Sequence, residues 1–331
     1  MKIITGGTGF IGSAICWLLN KQGISDIILV DMDIEGSKKN NVENLKYTDF
    51  IEKDDFLKQI SSGKSFGKVD AVYHMGACSS TTEQNMEFLR ENNVEYSKQL
   101  GLWCLRNGYK YIYASSGATY GDGSMGFDDS NELMPSLKPL NKYGLSKQLF
   151  DLWVLENKYD KKFAGLKYFN VFGPNENHKG DMRSMVNKTY SQVMETGKLK
   201  LFISYNPEFK DGEQKRDFLY VKDAVDMTVY FDPVLGKGKD ITGIYNIGSG
   251  RASTWIEMGT ALFNALGKEV NIEFIDMPDS IKNQYQYFTQ AKMDKLKNAG
   301  YDNDCMLLNE SVKDYVVNYL VPGKYLSVND K

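Results

Sequence analysis

Residues 5–13 read TGGTGFIGS, placing Gly6, Gly9 and Gly12 in a G-x-x-G-x-x-G spacing. The run follows a short apolar segment, KIIT at 2–5, and opens a helical pattern over about 12–22 in which Ile15, Leu18 and Leu19 recur at helical spacing. Three glycines in this setting leave few choices. One makes a tight turn, one lets another group approach the backbone, and one lets the helix pack close to the strand. The first N–H groups of such a helix favour a phosphate. A second apolar run, IILV at 27–30, leads into Asp31, 19 residues after Gly12. An acid at that place accepts hydrogen bonds from an adenosine ribose. Strand, turn, helix, strand and acid together predict a dinucleotide-binding turn. Asp31 alone favours NAD. Lys38, Lys39 and Lys53 are cations of the kind a 2′-phosphate needs. From these residues NAD and NADP both stay open.

Further strands are expected at 69–74 (VDAVYH), 109–115 (YKYIYAS) and 163–169 (FAGLKYF), with helical patterns at 93–106 and 143–156 between them. Such alternation predicts an α/β fold, a Rossmann-type doubly wound parallel sheet with helices on both faces. After about residue 173 the pattern loosens, with a strand expected at 244–247 and a last helix near 308–320. The expected division is a cofactor-binding domain over 1–173, with later segments near 215–250 returning to it. Residues 174–331 would form mainly a smaller α/β substrate-binding lobe.

With 331 residues, 42 % apolar and 25 % charged, the chain can bury a large core. Its net charge of −3 argues against nucleic acid or a membrane surface as partner. No apolar run approaches the ~18 residues that span a bilayer. Four cysteines without a CxxC spacing, and two histidines far from any cysteine pair, give no zinc motif, so no metal is expected. The chain opens directly on the strand and glycine turn, without a leader, so a cytoplasmic location is expected.

Tyr143 and Lys147 form a Y-x-x-x-K pair, and the i,i+4 spacing puts both on one helix face. A tyrosine with a pKa of about 10 is a poor base at neutral pH. A neighbouring ammonium stabilises the phenolate. Ser115 and Ser116, at a strand end, supply a partner hydroxyl on the sheet edge where ligands bind.

Glycine turn, Ser-Ser strand end and Y-x-x-x-K, in this order, resemble the extended short-chain dehydrogenase/reductase superfamily, which acts mostly on nucleotide sugars. The resemblance implies Ser116 as hydroxyl, Tyr143 as acid/base and Lys147 as assisting cation. Dehydratases of the superfamily carry an acid just after the strand end. Gly117, Ala118 and Thr119 stand there in this chain, which argues against dehydration.

Several segments sharpen the resemblance: 76–82 (GACSSTT), 168–174 (YFNVFGP), His178-Lys179-Gly180, Lys215-Arg216-Asp217-Phe218 and 283–290 (NQYQYFTQ). Together they are similar to the ADP-L-glycero-D-manno-heptose 6-epimerase family, from about residue 2 to 320. That similarity implies inversion at C6″ of ADP-heptose through a transient ketone, with tightly bound NADP. Tyr143 would serve one epimer and Lys179 the other. The cofactor would be lined by the glycine turn with Phe10 and Ile11, by Asp31, Met32, Lys38 and Lys53, and by Met75, Gly76, Ala77, Cys78 and Ser79. Asn92, Lys147, Val171 and Lys179 complete that set. The ADP-heptose would meet Asn170, Asp181, Lys188, Phe202, Ile203, Ser204, Tyr205, Arg216 and Tyr285. A homo-oligomer, a pentamer, and a place in lipopolysaccharide core assembly are implied as well. Two alternatives stay open: another nucleotide-sugar epimerase or reductase of the same fold, and a catalytically silent NADP-sensing protein.

Overall fold

The computed structural model describes residues 1–236, 240–282 and 285–330. Twelve strands follow in chain order: β1 Lys2–Thr5, β2 Ile27–Asp31, β3 Asp49–Glu52, β4 Ala71–His74, β5 Lys110–Ser116, β6 Phe163–Tyr168, β7 Asn170–Phe172, β8 Leu199–Phe202, β9 Lys215–Tyr220, β10 Gly243–Ile247, β11 Ala252–Thr254 and β12 Ile272–Ile275. Seven of them form one sheet in the order β10-β6-β5-β4-β1-β2-β3. Every pairing in it is parallel. The order reverses at β1, where the chain leaves for β2 on one side and β4 lies on the other. That reversal opens a crevice at the carboxyl ends of the strands.

Strand alternation explains why both faces are covered. Ile4, Leu29, Tyr73 and Ile112 belong to one buried cluster, and their neighbours Ile3, Ile28, Val72 and Tyr111 to another. Each strand is apolar on both sides, so helices must cover both. The chief helices are α1 Phe10–Lys21, α2 Ser37–Val42, α3 Lys53–Ser61, α4 Met86–Leu89, α5 Tyr96–Asn107, α6 Lys142–Glu156, α7 Met185–Thr196, α8 Val221–Val229 and α9 Trp255–Ala265. No described helix is long and apolar enough to cross a membrane.

The expected Rossmann-type sheet is present, with strand ends shifted by a residue or two. Edge strand β3 was missed because DFIE is half exposed and lacks an apolar run. The helix expected from 93 begins earlier, in a π-helical turn at Arg90–Glu95 that runs into α5. The last helix is regular over Leu308–Tyr315 and π-helical over Val316–Leu320. Of the later stretch, β10 joins the large sheet beside β6, whereas β9 lies in a three-stranded sheet between β11 and β7. Strands β8 and β12 pair separately.

Candidate active site

A cleft of about 490 Å³ opens at the carboxyl ends of β1, β2 and β4. The glycine turn forms its floor. Gly6 has a φ of +65°, and a Cβ there would lie 2.7 Å from the Gly76 nitrogen. At Gly12 a Cβ would collide with the Gly6 carbonyl oxygen. Gly9 precedes α1, no side chain caps the helix, and its first turn holds no acid. The leading N–H groups and the positive end of the helix dipole therefore suit an anion. This donor set and the glycine-lined approach fit the diphosphate of a dinucleotide.

Asp31, at the end of β2, is held from three sides. Its Oδ2 accepts from Thr8 N at 3.1 Å and Thr8 Oγ1 at 2.8 Å. Its Oδ1 accepts from Met32 N at 2.8 Å and from Lys38 Nζ at 3.0 Å. An aspartate so engaged no longer presents a lone negative charge, and Lys38 places a cation beside it. Lys53 lines the same cleft, bonded to Asp54 at 2.6 Å. Of the residues assigned to the cofactor from sequence, all except Lys147 and Val171 line this cleft.

Tyr143, Lys147 and Ser116 sit beside it, next to the cleft residue Cys78. Asn141 caps α6, its Oδ1 accepting from Gly144 N at 2.8 Å, and so fixes the turn that carries Tyr143. Lys147 is buried, donates to the Ala114 carbonyl at 2.8 Å, and has its pKa lowered by burial to about 8. Burial pushes the Tyr143 phenol upward, and a hydrogen bond with Ser116 partly offsets this. Cys78, which lines the cleft, lies close enough to influence both side chains. Behind them, Asp151 accepts from Ser115 Oγ at 2.6 Å and pairs with Lys167 at 2.7 Å, both ions almost fully buried. Sequence reading missed Asn93. Its Oδ1 accepts from Cys78 N at 2.8 Å, and its Nδ2 donates to Cys78 O at 2.9 Å and to Ser146 Oγ at 3.0 Å. It thus joins the 75–79 loop to α6. The π-helical turn that carries it has no sequence signature, though such turns gather at functional sites.

Lys179 enters from a different element, the 3₁₀ segment Asn177–Met182, and lines the same cleft. Its ammonium lies 5.2 Å from the centre of the Phe10 ring. Burial lowers its pKa, nearby Glu176 opposes that, and Lys188 on α7 adds to it. His178 also lines the cleft, and burial takes its pKa down to about 4, leaving it neutral at pH 7.

The residues expected on the sugar-nucleotide side are more scattered. Arg216 on β9 is buried, with Trp255 and Tyr285 on its faces at 5.4 and 5.3 Å. Trp255 Nε1 donates to Tyr285 Oη at 2.9 Å, and Phe202 meets Tyr285 edge-on at 6.3 Å. Lys188 stands near Lys179, whereas Asp181 is exposed. Asn170 accepts from Thr289 Oγ1 at 3.3 Å, and its neighbour Val171 packs against the main core. The 202–205 run is divided: Ile203 N bonds Ile275 O, Ser204 N bonds Asp211, and Tyr205 is exposed, donating to Asp276. Asn283 and Gln284 of the 283–290 segment lie outside the described residues. Among the described residues, no cluster of three or more His, Cys, Asp and Glu is placed to hold a metal ion.

The model of the NAD dependent epimerase/dehydratase family matches residues 2–248. The chain belongs to that family. Within it, the chain is 48 % identical over 320 residues to the ADP-L-glycero-D-manno-heptose-6-epimerase of Nitratidesulfovibrio vulgaris, covering 97 % of this chain and 98 % of that one. It is 47 % identical to the enzyme of the same name from Fusobacterium nucleatum, with the same coverage. Among solved structures, the Helicobacter pylori ADP-L-glycero-D-manno-heptose-6-epimerase superposes with a TM-score of 0.77 at 26 % identity, over 96 % of this chain and 95 % of that one. The Thermotoga maritima UDP-glucose 4-epimerase, at 24 % identity and a TM-score of 0.76, shares the fold.

The relatives named as epimerases carry weight beside the absence of an acid after Ser116, since the family itself includes dehydratases. Of Gly117, Ala118 and Thr119, Thr119 alone has a polar side chain, which donates to the Ser116 carbonyl at 2.8 Å and accepts from Lys167. The site therefore holds hydroxyl, phenol and ammonium groups at the strand end, with the carboxylate of Asp151 tied up behind them.

Proposed function

We propose that the chain is an ADP-L-glycero-D-manno-heptose 6-epimerase that inverts C6″ with tightly bound NADP, through a transient 6″-ketone and no net redox change. One observation carries the reading most. Lys179 lines the cleft from the 177–182 segment, and Tyr143, carried by α6, stands beside the cleft residue Cys78, so two groups able to move protons come from separate elements. Inversion needs a group suited to each epimer, while a reaction run in one configuration needs only one.

The residues present fit the cofactor. The α1 N-terminus and the glycine turn would hold its diphosphate, and Asp31 and Lys38 its adenosine ribose. The pairing of Lys38 with Asp31, with Lys53 nearby, supports NADP over NAD. When bound, the nicotinamide supplies a hydride acceptor and donor for C6″. Lys147, one helical turn on from Tyr143 in α6, supplies the positive charge that favours the phenolate when that group takes the C6″ hydroxyl proton. Ser116 orients the phenol. Lys179, its pKa lowered by burial, takes or returns the proton for the other epimer. Arg216, with Trp255 and Tyr285 both near its guanidinium, carries a group suited to bidentate contact with a diphosphate.

The same reading carries a division into residues 1–173 for the cofactor and 174–331 mainly for the substrate, and a cytoplasmic role in heptose glycan assembly. It also carries a homo-oligomer, a pentamer. The exposed Leu145 and Leu149, four residues apart on α6, support association, and light scattering measures its order.

The deciding experiment mixes the purified protein with ADP-D-glycero-D-manno-heptose, adds no cofactor, and follows the C6″ configuration by NMR. Conversion to the L-glycero epimer is expected. No conversion by protein that holds NADP would overturn the substrate assignment.

A further inference from the structure

We propose that His178 is a positioning residue: held by Asn41, it fixes the turn that carries Lys179 to the phosphate-binding turn. The inference rests on the proposed role of Lys179 as the second proton-transfer group.

Asn41 on α2 is completely buried. Its Nδ2 donates to the Thr8 carbonyl at 2.9 Å and to His178 Nδ1 at 3.1 Å. The Thr8 carbonyl fixes which way the amide faces, since a flipped amide would set two oxygens against each other. Nδ1 of His178 is therefore an acceptor, and the neutral ring carries its proton on Nε2. Thr8 in turn donates twice to Asp31, which pairs with Lys38. An unbroken line of polar contacts thus runs from the adenosine end of the cleft to the residue next to Lys179.

The base of the same loop is bolted down separately. Asn175 has a φ of +76°, a region asparagine tolerates better than most side chains. Its Nδ2 donates to Ser13 Oγ at 3.0 Å and to Asn41 O at 3.2 Å. Glu176 is buried and accepts from Ser184 Oγ at 2.7 Å. Beyond these anchors, Gly180 has a φ of +53° with open space around it. Between the rigid base and that glycine, the His178 ring ties the turn to the cofactor-binding side. The contact of Lys179 with Phe10 is attractive but weakly directional. The ammonium therefore depends on its backbone for placement, and a misplacement of about 1 Å can cost up to about 100-fold in rate.

The test compares His178→Ala, His178→Gln, Lys179→Met and the double variant His178→Ala/Lys179→Met, reading kcat, KM for ADP-heptose and NADP retained per chain. His178→Ala is expected to lower kcat about 10-fold or more, with KM within about twofold of the parent and NADP retained. Glutamine, whose amide oxygen can accept from Asn41, restores most of the rate. In the Lys179→Met background, His178→Ala has no further effect, because the two act as one unit. Loss of NADP in step with activity, or an equal drop in the Lys179→Met background, would overturn the proposal. So would full activity of His178→Ala beside an inactive Lys179→Met. If Lys179→Met itself keeps full activity, the failure belongs to the two-group reading beneath it.

Discussion

Tyr143, beside the cleft, and Lys179, which lines it, are both proposed to move protons, yet the chain places them by opposite means. Tyr143 sits in the first turn of a regular 15-residue helix. Its cation lies one turn on, its hydroxyl partner ends a central strand, and its helix is capped by Asn141. Lys179 sits in a short 3₁₀ segment broken by Gly180, and its neighbours are fixed by contacts with residues more than 130 positions away. Local geometry organises the first group. Tertiary hydrogen bonds organise the second.

The comparison can be broken at its centre. Tyr143→Phe and Lys179→Met each remove one proton-transfer group while keeping the shape of the side chain. General acid–base groups contribute about 10²–10⁴-fold. Losses of that size in kcat are expected from both, with NADP content unchanged. The epimerisation rate from each epimer separates them. A loss confined to Tyr143→Phe would leave Lys179 a binding residue and make the site one-sided.

Next in size is the support behind the first group. Lys167 and Asp151 are buried together, and Asp151 also takes hydrogen bonds from Ser115 and Tyr113. Lys167→Met leaves Asp151 as an uncompensated buried charge. Removing one partner of such a pair costs ~3–5 kcal/mol. Urea unfolding should show that loss. Lys179→Met, in a half-buried loop without such a pair, should move the midpoint far less. Equal destabilisation by both would mean that the loop is as deeply built into the core as α6.

A smaller effect is expected on the sugar-nucleotide side. Arg216→Lys keeps the charge but loses the planar fork, and a KM for the nucleotide sugar raised about 10- to 100-fold is expected. Trp255→Leu removes one aromatic face from the guanidinium and should raise KM about 3- to 10-fold with kcat preserved. An unchanged KM in both would detach Arg216 from the diphosphate.

What the sequence disclosed follows the same divide. Gly6, Gly9, Gly12 and Asp31 were legible because one strand, one turn and one helix bring them together within about thirty residues. Tyr143 and Lys147 were legible because helical periodicity alone sets them on one face. Lys179 was named only through a family resemblance, since no local pattern marks it. Trp255 was missed because its approach to Arg216 depends on β11 running antiparallel to β9, with Ser253 opposite Arg216. Asn41 and Asn93 are polar residues in helical stretches, and nothing in their neighbours announces a partner far along the chain. Strand β3 escaped notice because an exposed edge needs no apolar run.

The smallest effect concerns pH and the two lysines. Burial brings Lys147 down to about 8 from the usual 10.5. Below that value it is an ammonium, the form that the proposed mechanism needs beside a Tyr143 phenolate. As pH rises through about 8 the charge is lost, and kcat should fall although the tyrosine itself deprotonates more readily. Unfolding does not explain such a fall. Between about 8 and 10.5 the unfolded chain holds a proton on Lys147 that the folded chain has released, so this group's contribution to stability rises with pH across that window. Lys147→Arg keeps its charge throughout. In that variant the alkaline limb should move upward by at least about one pH unit while lower overall activity remains measurable. A limb that stays near 8 would assign it to Lys179, whose pKa burial also lowers, and would make the loop, not the helix, the part of the site that sets its working pH.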